Sequence, residues 1–342
     1  MPPSPEPSKR DRAIAVSLSD WFRANGRDYP WRRTTEPYPI LVSEIMLQQT
    51  QIATVLDRGY YARWMTRFPD FETLAAASEA DILKAWEGLG YYRRARNLHR
   101  LAVVVQEEHG GIFPGEDEQI LALPGIGPYT AGAIASFAFN RPKPIVDGNV
   151  ARVLSRLEND ATPIDSTEGK KRLWDRAEAL VEASREPRLF NSALMELGQV
   201  ICRPTSPLCS ECPVRLNCTA SAPENLPVKE ARTVITETTE RVFFCENSGG
   251  VLLEQEKGSR RTGMWKLPAL PSASPMTPVI HQSVYGITRY RVTLWVHEAP
   301  GVLESESLRR VPLGDLDDLA MPSPYRKALR AILNARHFEL KA

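Results

Sequence analysis

The sequence predicts two domains, a mainly helical N-terminal domain and a smaller α/β C-terminal domain. At 342 residues the chain is about twice the usual length of one domain. Apolar residues recur at helical spacing in its N-terminal part, as in Ile45, Met46, Ile52, Val55 and Leu56. Past residue 235 the pattern becomes β-branched and aromatic, which is typical of strands. The 42% hydrophobic and 25% charged fractions are globular values and exclude a wholly disordered or collagen-like chain.

The predicted elements follow one another along the chain. Residues 1–10, MPPSPEPSKR, are expected to form a frayed, disordered tail, and residues 11–220 the helical domain. The stretch SAPENLPVKE carries two prolines and few apolar residues, which predicts a linker over 221–235. The α/β domain, residues 236–342, is built on the strand-like segments TVITETTERVFFCE and VYGITRYRVTLWVHE. It closes on an amphipathic helix near 324–335.

Composition and charge exclude some classes of protein. No uninterrupted apolar stretch approaches the roughly 18 residues of a membrane span, which excludes a membrane protein. The N-terminus lacks the apolar core of a secretory signal, so a cytoplasmic location is expected, associated with the nucleoid in a bacterium. The formal net charge of +1 does not indicate a nucleic-acid partner. The local run of Arg93, Arg94, Arg96 and Arg100 is explained as well by a solvated helix face.

A glycine-rich segment, Leu123 to Thr130 (LPGIGPYT), lies between two predicted helices and predicts a helix-hairpin-helix over about residues 118–139. Gly125 and Gly127 permit a tight turn and leave backbone N–H groups uncovered at a helix N-terminus, where a phosphate oxygen binds well. Phosphate contacts position a duplex without reading its sequence. A simple packing turn between helices is at least as common an interpretation.

Two carboxylates stand beside predicted helices. Asp147, in the segment VDGNV, precedes one helix, and an N-cap is the commonest role of Asp there. Glu44, in SEIMLQQTQ, is expected in the first turn of another helix, where it would complement the helix dipole. Taken singly, each carboxylate is explained by its local structural role.

Four of the five cysteines are crowded together, with six, two and five residues between Cys202, Cys209, Cys212 and Cys218. This crowding suits a metal site better than a secreted disulfide framework. A four-thiolate zinc ion and an iron-sulfur cluster are both open on this ground. Cys245 stands apart and is interpreted as a core thiol.

Seven ordered features together resemble the adenine DNA glycosylases of the MutY type, in the helix-hairpin-helix, endonuclease III-like superfamily. They are YPWRR, SEIMLQQTQ, GLGYYRRARNLH, LPGIGPYTAGAI, VDGNVARVLSR, NSALMELGQVIC and the cysteine group. The resemblance is strong through residue 220 and looser afterwards. It implies a helix-hairpin-helix glycosylase domain with an iron-sulfur loop over 202–218, followed by a Nudix-like recognition domain.

The resemblance implies base excision repair of adenine mispaired with 8-oxoguanine or guanine in duplex DNA. Glu44 would protonate adenine N7 and Asp147 would stabilise an oxocarbenium-like sugar, two opposite tasks set by environment. Tyr129 and Asn149 would hold Asp147 and the sugar through hydrogen bonds. Bifunctional relatives carry a lysine at the position of Tyr129, and tyrosine has no amine for a Schiff base. Hydrolysis without designed strand cleavage is therefore expected.

The resemblance also implies a set of residues that contact DNA or the flipped adenine. Gln49 and Tyr91 would be wedge residues that fill the gap left by the adenine. The adenine pocket would be lined by Trp31, Arg32, Leu47 and Glu196, although core packing explains Trp31 and Leu47 equally well. Further contacts are expected from Gln48, Thr50, Gly125 and Gly127, and phosphate contacts from Arg93, Arg94, Arg96, Arg203 and Arg215.

For the cysteines, the resemblance favours a 4Fe-4S cluster over zinc, because six-two-five is the spacing of the superfamily's cluster loop. The cluster would serve structure and DNA binding more than catalysis. The expected partner is double-stranded DNA containing A:8-oxoguanine or A:G mispairs, and the protein is expected to act as a monomer.

The C-terminal domain departs from the family pattern. GMWKLP, residues 263–268, fits the family, but an acidic Nudix box is missing, so pyrophosphate hydrolysis is not expected. The family's Phe-Ser-His recognition loop is also missing from the strand-like segment Tyr285–Arg291. Thr288 and Arg289 could supply alternative hydrogen bonds to 8-oxoguanine. An ordinary strand with cross-strand pairing is an equal alternative.

Two rival functions remain open. The first is an enzyme of the same fold that removes thymine or uracil opposite guanine. Glu44 disfavours it, because an acid directed at N7 suits a purine. The second is a catalytically silent, cluster-containing protein for DNA binding or electron transfer, which the presence of both Glu44 and Asp147 disfavours.

Overall fold

The computed structural model describes residues 6–230, 234–258, 261–269, 277–299 and 308–339. The N-terminal part is helical, as predicted. Its helices are α1 (Lys9–Asn25), α2 (Pro37–Leu47), α3 (Ile52–Asp57), α4 (Tyr60–Arg67), α5 (Phe71–Ala75), α6 (Glu79–Ala85), α7 (Arg93–His109), α8 (Asp117–Ala122), α9 (Pro128–Phe137), α10 (Gly148–Leu157), α11 (Thr167–Glu182) and α12 (Pro187–Val200).

The C-terminal part contains strands and a closing helix, as predicted. Its elements are β1 (Thr236–Phe244), β2 (Glu246–Asn247), β3 (Gly250–Gln255), β4 (Trp265–Lys266), β5 (Val279–Ile287), β6 (Tyr290–Glu298), β7 (Leu308–Val311) and α13 (Ser323–Glu339). One sheet has the order β1-β6-β5, with β1 parallel and β5 antiparallel to β6. In the other sheet β3 pairs with β2, β4 and β7. Helix α13 packs against β5.

The chain divides into two compact units along a line different from the predicted domain boundary. The first unit contains residues up to Gln49, the short stretch Asp70–Glu72, and Leu101–Arg232. The second contains Thr50–Pro69, Thr73–Arg100 and the C-terminal strands with α13. The predicted change from helices to strands is present, and the boundary over residues 221–235 stays a prediction.

The core of the first unit is formed by α1, α10, α11 and α12. Its buried residues include Ile14, Leu18, Leu154, Phe190 and Leu197. Close packing requires glycine at two helical positions: a Cβ at Gly132 would lie 2.3 Å from Pro144 O, and one at Gly198 would lie 2.8 Å from Asn149 Cβ. These approaches bring α9 against the segment that leads into α10, and α12 against the first turn of α10.

Helix α1 begins inside the expected tail. Its N-cap is Ser8, whose side chain accepts a hydrogen bond from Asp11 N at 3.1 Å. The Arg10 guanidinium donates to Glu158 Oε2 at 2.7 Å and to Asn217 O at 2.8 Å. A tail through residue 10 is therefore wrong for residues 9 and 10, because capping and an ion pair order them. Residues 1–5 lie outside the described residues.

The first part of the expected linker is attached to the first unit. Leu226 is buried, and its carbonyl accepts from Arg156 Nε at 3.0 Å. Val228 O accepts from Ile164 N at 3.0 Å, and Glu230 N donates to Asp165 Oδ1 at 2.8 Å. These bonds hold the chain as far as residue 230.

The second unit has a core of its own beneath the C-terminal strands. Its buried residues include Phe244, Leu253, Leu294, Tyr325 and Leu329.

Among the helices in the described part of the chain, none is both long and apolar enough to cross a membrane.

Candidate active site and cysteine loop

The predicted helix-hairpin-helix is α8, the turn Leu123–Gly127 and α9. Gly125 has φ +78°, a conformation that favours glycine. Gly127 is the N-cap of α9, and no heavy atom lies within 4 Å of where its Cβ would be built, other than those of its chain neighbours. Pro128 occupies the first helical turn, where its missing N–H is not needed. The turn leaves the N-terminus of α9 open, as a phosphate contact would require.

Asp147 is the N-cap of α10, so its expected local role is present. Its Oδ1 accepts a hydrogen bond from Val150 N at 2.7 Å. Its Oδ2 accepts from Asn149 Nδ2 at 3.2 Å. Both oxygens receive N–H donors, an arrangement that suits an ionised carboxylate. The cap orients the carboxylate and leaves it available for charge stabilisation.

Glu44 lies in the C-terminal half of α2, and the expectation of a first-turn position is wrong. The helix begins at Pro37, so the dipole near Glu44 disfavours a negative charge. The side chain is buried, and Tyr129 Oη donates to its Oε2 at 3.0 Å. The pKa of Glu44 is raised to about 7, mainly by burial. The Tyr129 hydrogen bond and the charge of Arg32 lower it, and the charge of Asp147 raises it. Glu44 can therefore carry a proton near neutral pH.

Two of the predicted adenine-pocket residues, Arg32 and Glu196, form an ion pair in the first unit. Arg32 Nη1 bonds Glu196 Oε2, and Glu196 Oε1 accepts from Arg27 N at 2.9 Å. The Arg32 guanidinium lies 4.7 Å from the Tyr29 ring centroid, and that ring stacks on Trp31 at 5.2 Å. The positive charge of Arg32 lowers the pKa of Glu44, against the larger opposing effect of burial.

Three further predicted residues, Leu47, Gln48 and Gln49, lie at the end of α2 and just beyond it. Leu47 is half-buried, and Gln48 Nε2 lies 3.4 Å from Thr130 Oγ1. Gln49 is exposed with φ +56°, an uncommon conformation for a residue other than glycine.

Arg152 is a buried residue of α10 that the sequence analysis did not single out. Its Nη2 donates to Asn149 Oδ1 at 2.9 Å and to Gly198 O at 2.6 Å. Its Nε donates to Cys202 O at 2.8 Å. Arg152 thus joins the partner of Asp147 to the beginning of the cysteine loop. A sequence signal exists, because ARVLSRL places two arginines in an otherwise apolar helix.

The four clustered cysteines follow α12 in one loop, and all four are free thiols. The pKa of Cys212 is raised to about 11, mainly by burial and also by Cys202, Cys218 and Cys209, against the lowering effect of a backbone hydrogen bond from Val214. Arg156 Nη1 lies 3.4 Å from Cys202 Sγ. Within the described residues, no three His, Cys, Asp or Glu side chains are arranged to hold a metal ion. The donor set is four soft sulfurs with one adjacent buried cation, which fits a thiolate-bound metal.

The second unit holds Thr50, Tyr91, Thr288 and Arg289. Thr50 is half-buried, and Tyr91 is 49% exposed with φ +47°. Tyr91 stands out of a buried segment, as a wedge residue would. Its role and that of Gln49 stay predictions.

Two of the arginines expected to contact phosphates are engaged within the protein. Arg94 Nη2 donates to Leu89 O at 3.0 Å, and desolvation lowers its pKa to about 10. Arg96 pairs with Glu79 at 2.5 Å and also bonds a backbone carbonyl. Arg93 is exposed and is the better candidate for a phosphate contact.

Thr288 and Arg289 form the turn of a hairpin instead of a continuous strand. Ile287 pairs with Tyr290, so the two residues connect β5 and β6 directly. Thr288 has φ +52°, and its Oγ1 donates to Ile287 O at 2.7 Å. Arg289 lies 5.3 Å from the Tyr290 ring centroid. Both are exposed, so they are accessible to a ligand.

Comparisons with known proteins support the resemblance. The HhH-GPD superfamily base excision DNA repair protein model matches residues 42–179. The chain is 47% identical to human adenine DNA glycosylase over 61% of its own length, and spans 39% of that protein. It is 36% identical to adenine DNA glycosylase of Buchnera aphidicola subsp. Baizongia pistaciae, covering 73% of this chain and 70% of that one. The matched region thus spans less than half the length of the human relative.

Solved structures share the helical fold. A thermostable thymine-DNA glycosylase superposes with a TM-score of 0.54 at 31% identity, covering 62% of this chain and 96% of that one. A non-covalent endonuclease III–DNA complex superposes with a TM-score of 0.50 at 21% identity, covering 61% and 94%. The first supports relationship, and the second supports the fold alone. The ordered motifs, the matching family model and the coverage of the Buchnera protein together show that this chain belongs to the adenine DNA glycosylase family of the HhH-GPD superfamily.

Proposed function

We propose that the protein is a base excision repair glycosylase that hydrolyses the N-glycosidic bond of adenine mispaired with 8-oxoguanine or guanine in duplex DNA. The observation that carries the proposal is the buried Glu44, which accepts a hydrogen bond from Tyr129 and whose pKa is raised by burial and by the charge of Asp147, itself hydrogen-bonded to Asn149. Family membership supplies the substrate class. The environment of the two carboxyl groups supplies the chemistry.

The two carboxyl groups suit opposite tasks. Protonated Glu44 donates to adenine N7 and makes the base a better leaving group. Ionised Asp147 stabilises the positive charge that develops on the sugar as the bond breaks. Adenine must first leave the stack, at a cost of a few kcal/mol that is smallest at a mispair. Water then completes the hydrolysis.

Tyr129 supports a monofunctional reaction. It stands where a bifunctional relative would carry a lysine, and burial together with Glu44 and Asp147 raises its pKa well above the ordinary value. It therefore stays a neutral donor to Glu44 and cannot form a Schiff base. We expect an abasic site as the product, with no designed strand scission.

We also propose that Cys202, Cys209, Cys212 and Cys218 hold a 4Fe-4S cluster. When bound, the cluster would link the loop through iron–thiolate bonds and order it for DNA binding. Arg156 would offset part of the negative charge, since its guanidinium lies beside Cys202. Iron analysis and visible absorption test this proposal. Purified protein with zinc and no iron would contradict it.

The decisive experiment is single-turnover release of adenine from A:8-oxoguanine, A:G and A:T duplexes, with alkali added afterwards. We expect rapid release from the two mispairs and strand scission only after alkali. A borohydride-trapped adduct at stoichiometric yield would contradict monofunctional hydrolysis. Tight binding without release from any duplex would leave a DNA-binding protein on a glycosylase fold.

A second candidate is excision of thymine opposite guanine, favoured by the likeness to the thymine-DNA glycosylase. Glu44 argues against it, because a protonated carboxyl group directed at N7 serves a purine leaving group. A G:T duplex in the same experiment distinguishes the two. Faster release of thymine than of adenine would favour this second function.

A further inference from the structure

Tyr91 projects from a segment, residues 86–92, whose other described side chains are mostly buried. We call it the wedge segment. Gly88 has φ +97°, and a Cβ there would lie 2.0 Å from Tyr60 Oη. Gly90 has φ +68°, and its carbonyl accepts from Trp86 Nε1 at 3.0 Å. A glycine-dependent backbone held by a buried tryptophan has little freedom, so the exposed ring is presented in a defined place.

Arg94 donates hydrogen bonds to the backbone of the same segment. Its Nη2 donates to Leu89 O at 3.0 Å and to Gly90 O at 3.3 Å. Its guanidinium lies 5.3 Å from the Trp86 ring centroid and 5.7 Å from that of Tyr91. The Tyr91 ring therefore makes a cation–π contact with the Arg94 guanidinium, and hydrogen bonds to two carbonyls hold that guanidinium in place.

Helix α13 is bonded to the wedge segment by a buried ion pair within the second unit. Arg326 Nε bonds Glu87 Oε1 at 2.7 Å, and its Nη2 bonds Glu87 Oε2 at 3.1 Å. The side chains are 8% and 16% exposed. The remaining donors of Arg326 bond the carbonyls of Leu316 and Leu319. This is a bidentate pair with its other donors satisfied, the arrangement in which a buried guanidinium fixes geometry.

Other contacts hold both flanks of the wedge segment to the C-terminal region. Lys84 Nζ bonds Glu87 Oε2 at 2.9 Å and lies 3.5 Å from Leu319 O. On the other flank, Arg96 bonds Thr262 O. Contacts with the C-terminal region thus lie on both sides of Tyr91 in the sequence, at Lys84 and Glu87 before it and at Arg96 after it.

We propose that Glu87 and Arg326 are positioning residues that hold Tyr91 for insertion into the duplex, so that the C-terminal domain takes part in base extrusion. This inference rests on the proposed function. Neither residue touches substrate. Both act through the wedge segment, whose small shifts would misplace the inserted ring.

The test compares a mispair with a substrate that needs no extrusion. Arg326→Gln is assayed by single-turnover adenine release from an A:G duplex and from a duplex with an unpaired, bulged adenine. We expect about a tenfold loss on A:G and a clearly smaller loss on the bulge. Arg330→Gln is the matched control, because it removes the same charge one turn along α13 from an exposed pair with Asp317. We expect wild-type rates from it.

A double-mutant cycle separates positioning from general destabilisation. If Arg326 acts through Tyr91, adding Arg326→Gln to Tyr91→Ala will lower the A:G rate little further. Glu87→Gln weakens the same ion pair more mildly and is tested in both comparisons. It replaces Arg326→Gln if that variant fails to fold. Equal losses on the two duplexes, or losses that multiply in the cycle, would overturn the inference while leaving the glycosylase function intact. A wild-type protein that releases no adenine would overturn both.

Discussion

The carboxyl pair of the first unit and the hairpin tip of the second differ in how completely the protein holds them. Both oxygens of Asp147 accept hydrogen bonds, and Glu44 is buried against Tyr129. Thr288 and Arg289 are exposed, and their side chains bond only Ile287 and Tyr290 beside them, while the Arg289 carbonyl accepts from Thr236 N at 2.9 Å. The chemistry is therefore preorganised in the folded chain, whereas any base recognition at the tip depends on contacts made with DNA.

We expect the largest effect from a substitution in the carboxyl pair of the first unit. Asp147→Asn keeps the N-cap, because Asn caps as well as Asp, but removes the negative charge that we propose stabilises the sugar. We expect single-turnover excision to fall about 10³-fold, as for loss of a major electrostatic stabiliser. Gel-shift affinity for the A:8-oxoguanine duplex serves as the control and should be retained. Near-wild-type excision would remove Asp147 from the mechanism.

Glu44→Gln should have the next largest effect. The amide keeps the shape of the buried side chain and loses the acidic proton, so leaving-group assistance is lost. We expect a fall of about 10²-fold in the single-turnover rate, within the usual range of general acid catalysis. Thermal melting of the same variant checks the fold, and we expect no loss of stability because a buried titratable group is removed. An unchanged rate would show that another group protonates adenine.

The pH dependence sharpens the same assignment. Burial raises the pKa of Glu44 to about 7 from an ordinary 4.5, so the proton is bound below that pH and lost above it. Excision should decline as the pH rises through about 7, and Glu44→Gln should flatten that limb. The stability contributed by the bound proton is full below 4.5 and is lost as the pH rises through about 7. Melting curves of wild type and Glu44→Gln across this window measure it.

The smallest expected effect concerns the hairpin tip. Arg289→Ala removes an exposed side chain, so we expect an unchanged melting temperature. If the tip reads 8-oxoguanine, the ratio of A:8-oxoguanine to A:G excision should fall about tenfold, the value of one charged hydrogen bond. Thr288→Val should lower the ratio less. Equal ratios in wild type and both variants would assign the discrimination to another part of the chain.

Much of the fold and site could be predicted from the chain. The helical spacing, the hairpin glycines and the change to β-branched segments predicted the elements, because each depends on local periodicity or turn chemistry. The motifs also led to Glu44, Tyr129, Asp147 and Asn149. Their proximity could not be derived from local pattern, since Glu44 and Tyr129 are 85 positions apart.

Other features escaped local reasoning. Glu44 was expected in a first turn, but Pro37 starts α2 earlier, and this changes the sign of the dipole effect. Arg94 and Arg96 were expected on a solvated or phosphate-binding helix face. In the structure they donate instead to backbone carbonyls, those of Leu89 and Thr262, which the helical pattern does not place beside them. The tip at Thr288 lacked the usual glycine or asparagine signal of a two-residue turn.

The sequence by itself determined the helical and strand elements, the family and the residue types available for chemistry. Only the tertiary structure decided the state of those residues. Burial raises the pKa of Glu44, and the placement of Tyr91 depends on Arg94 and the Glu87–Arg326 pair. The physical reason is that desolvation and charge interactions act over a few ångströms in space, between residues that the chain order keeps far apart.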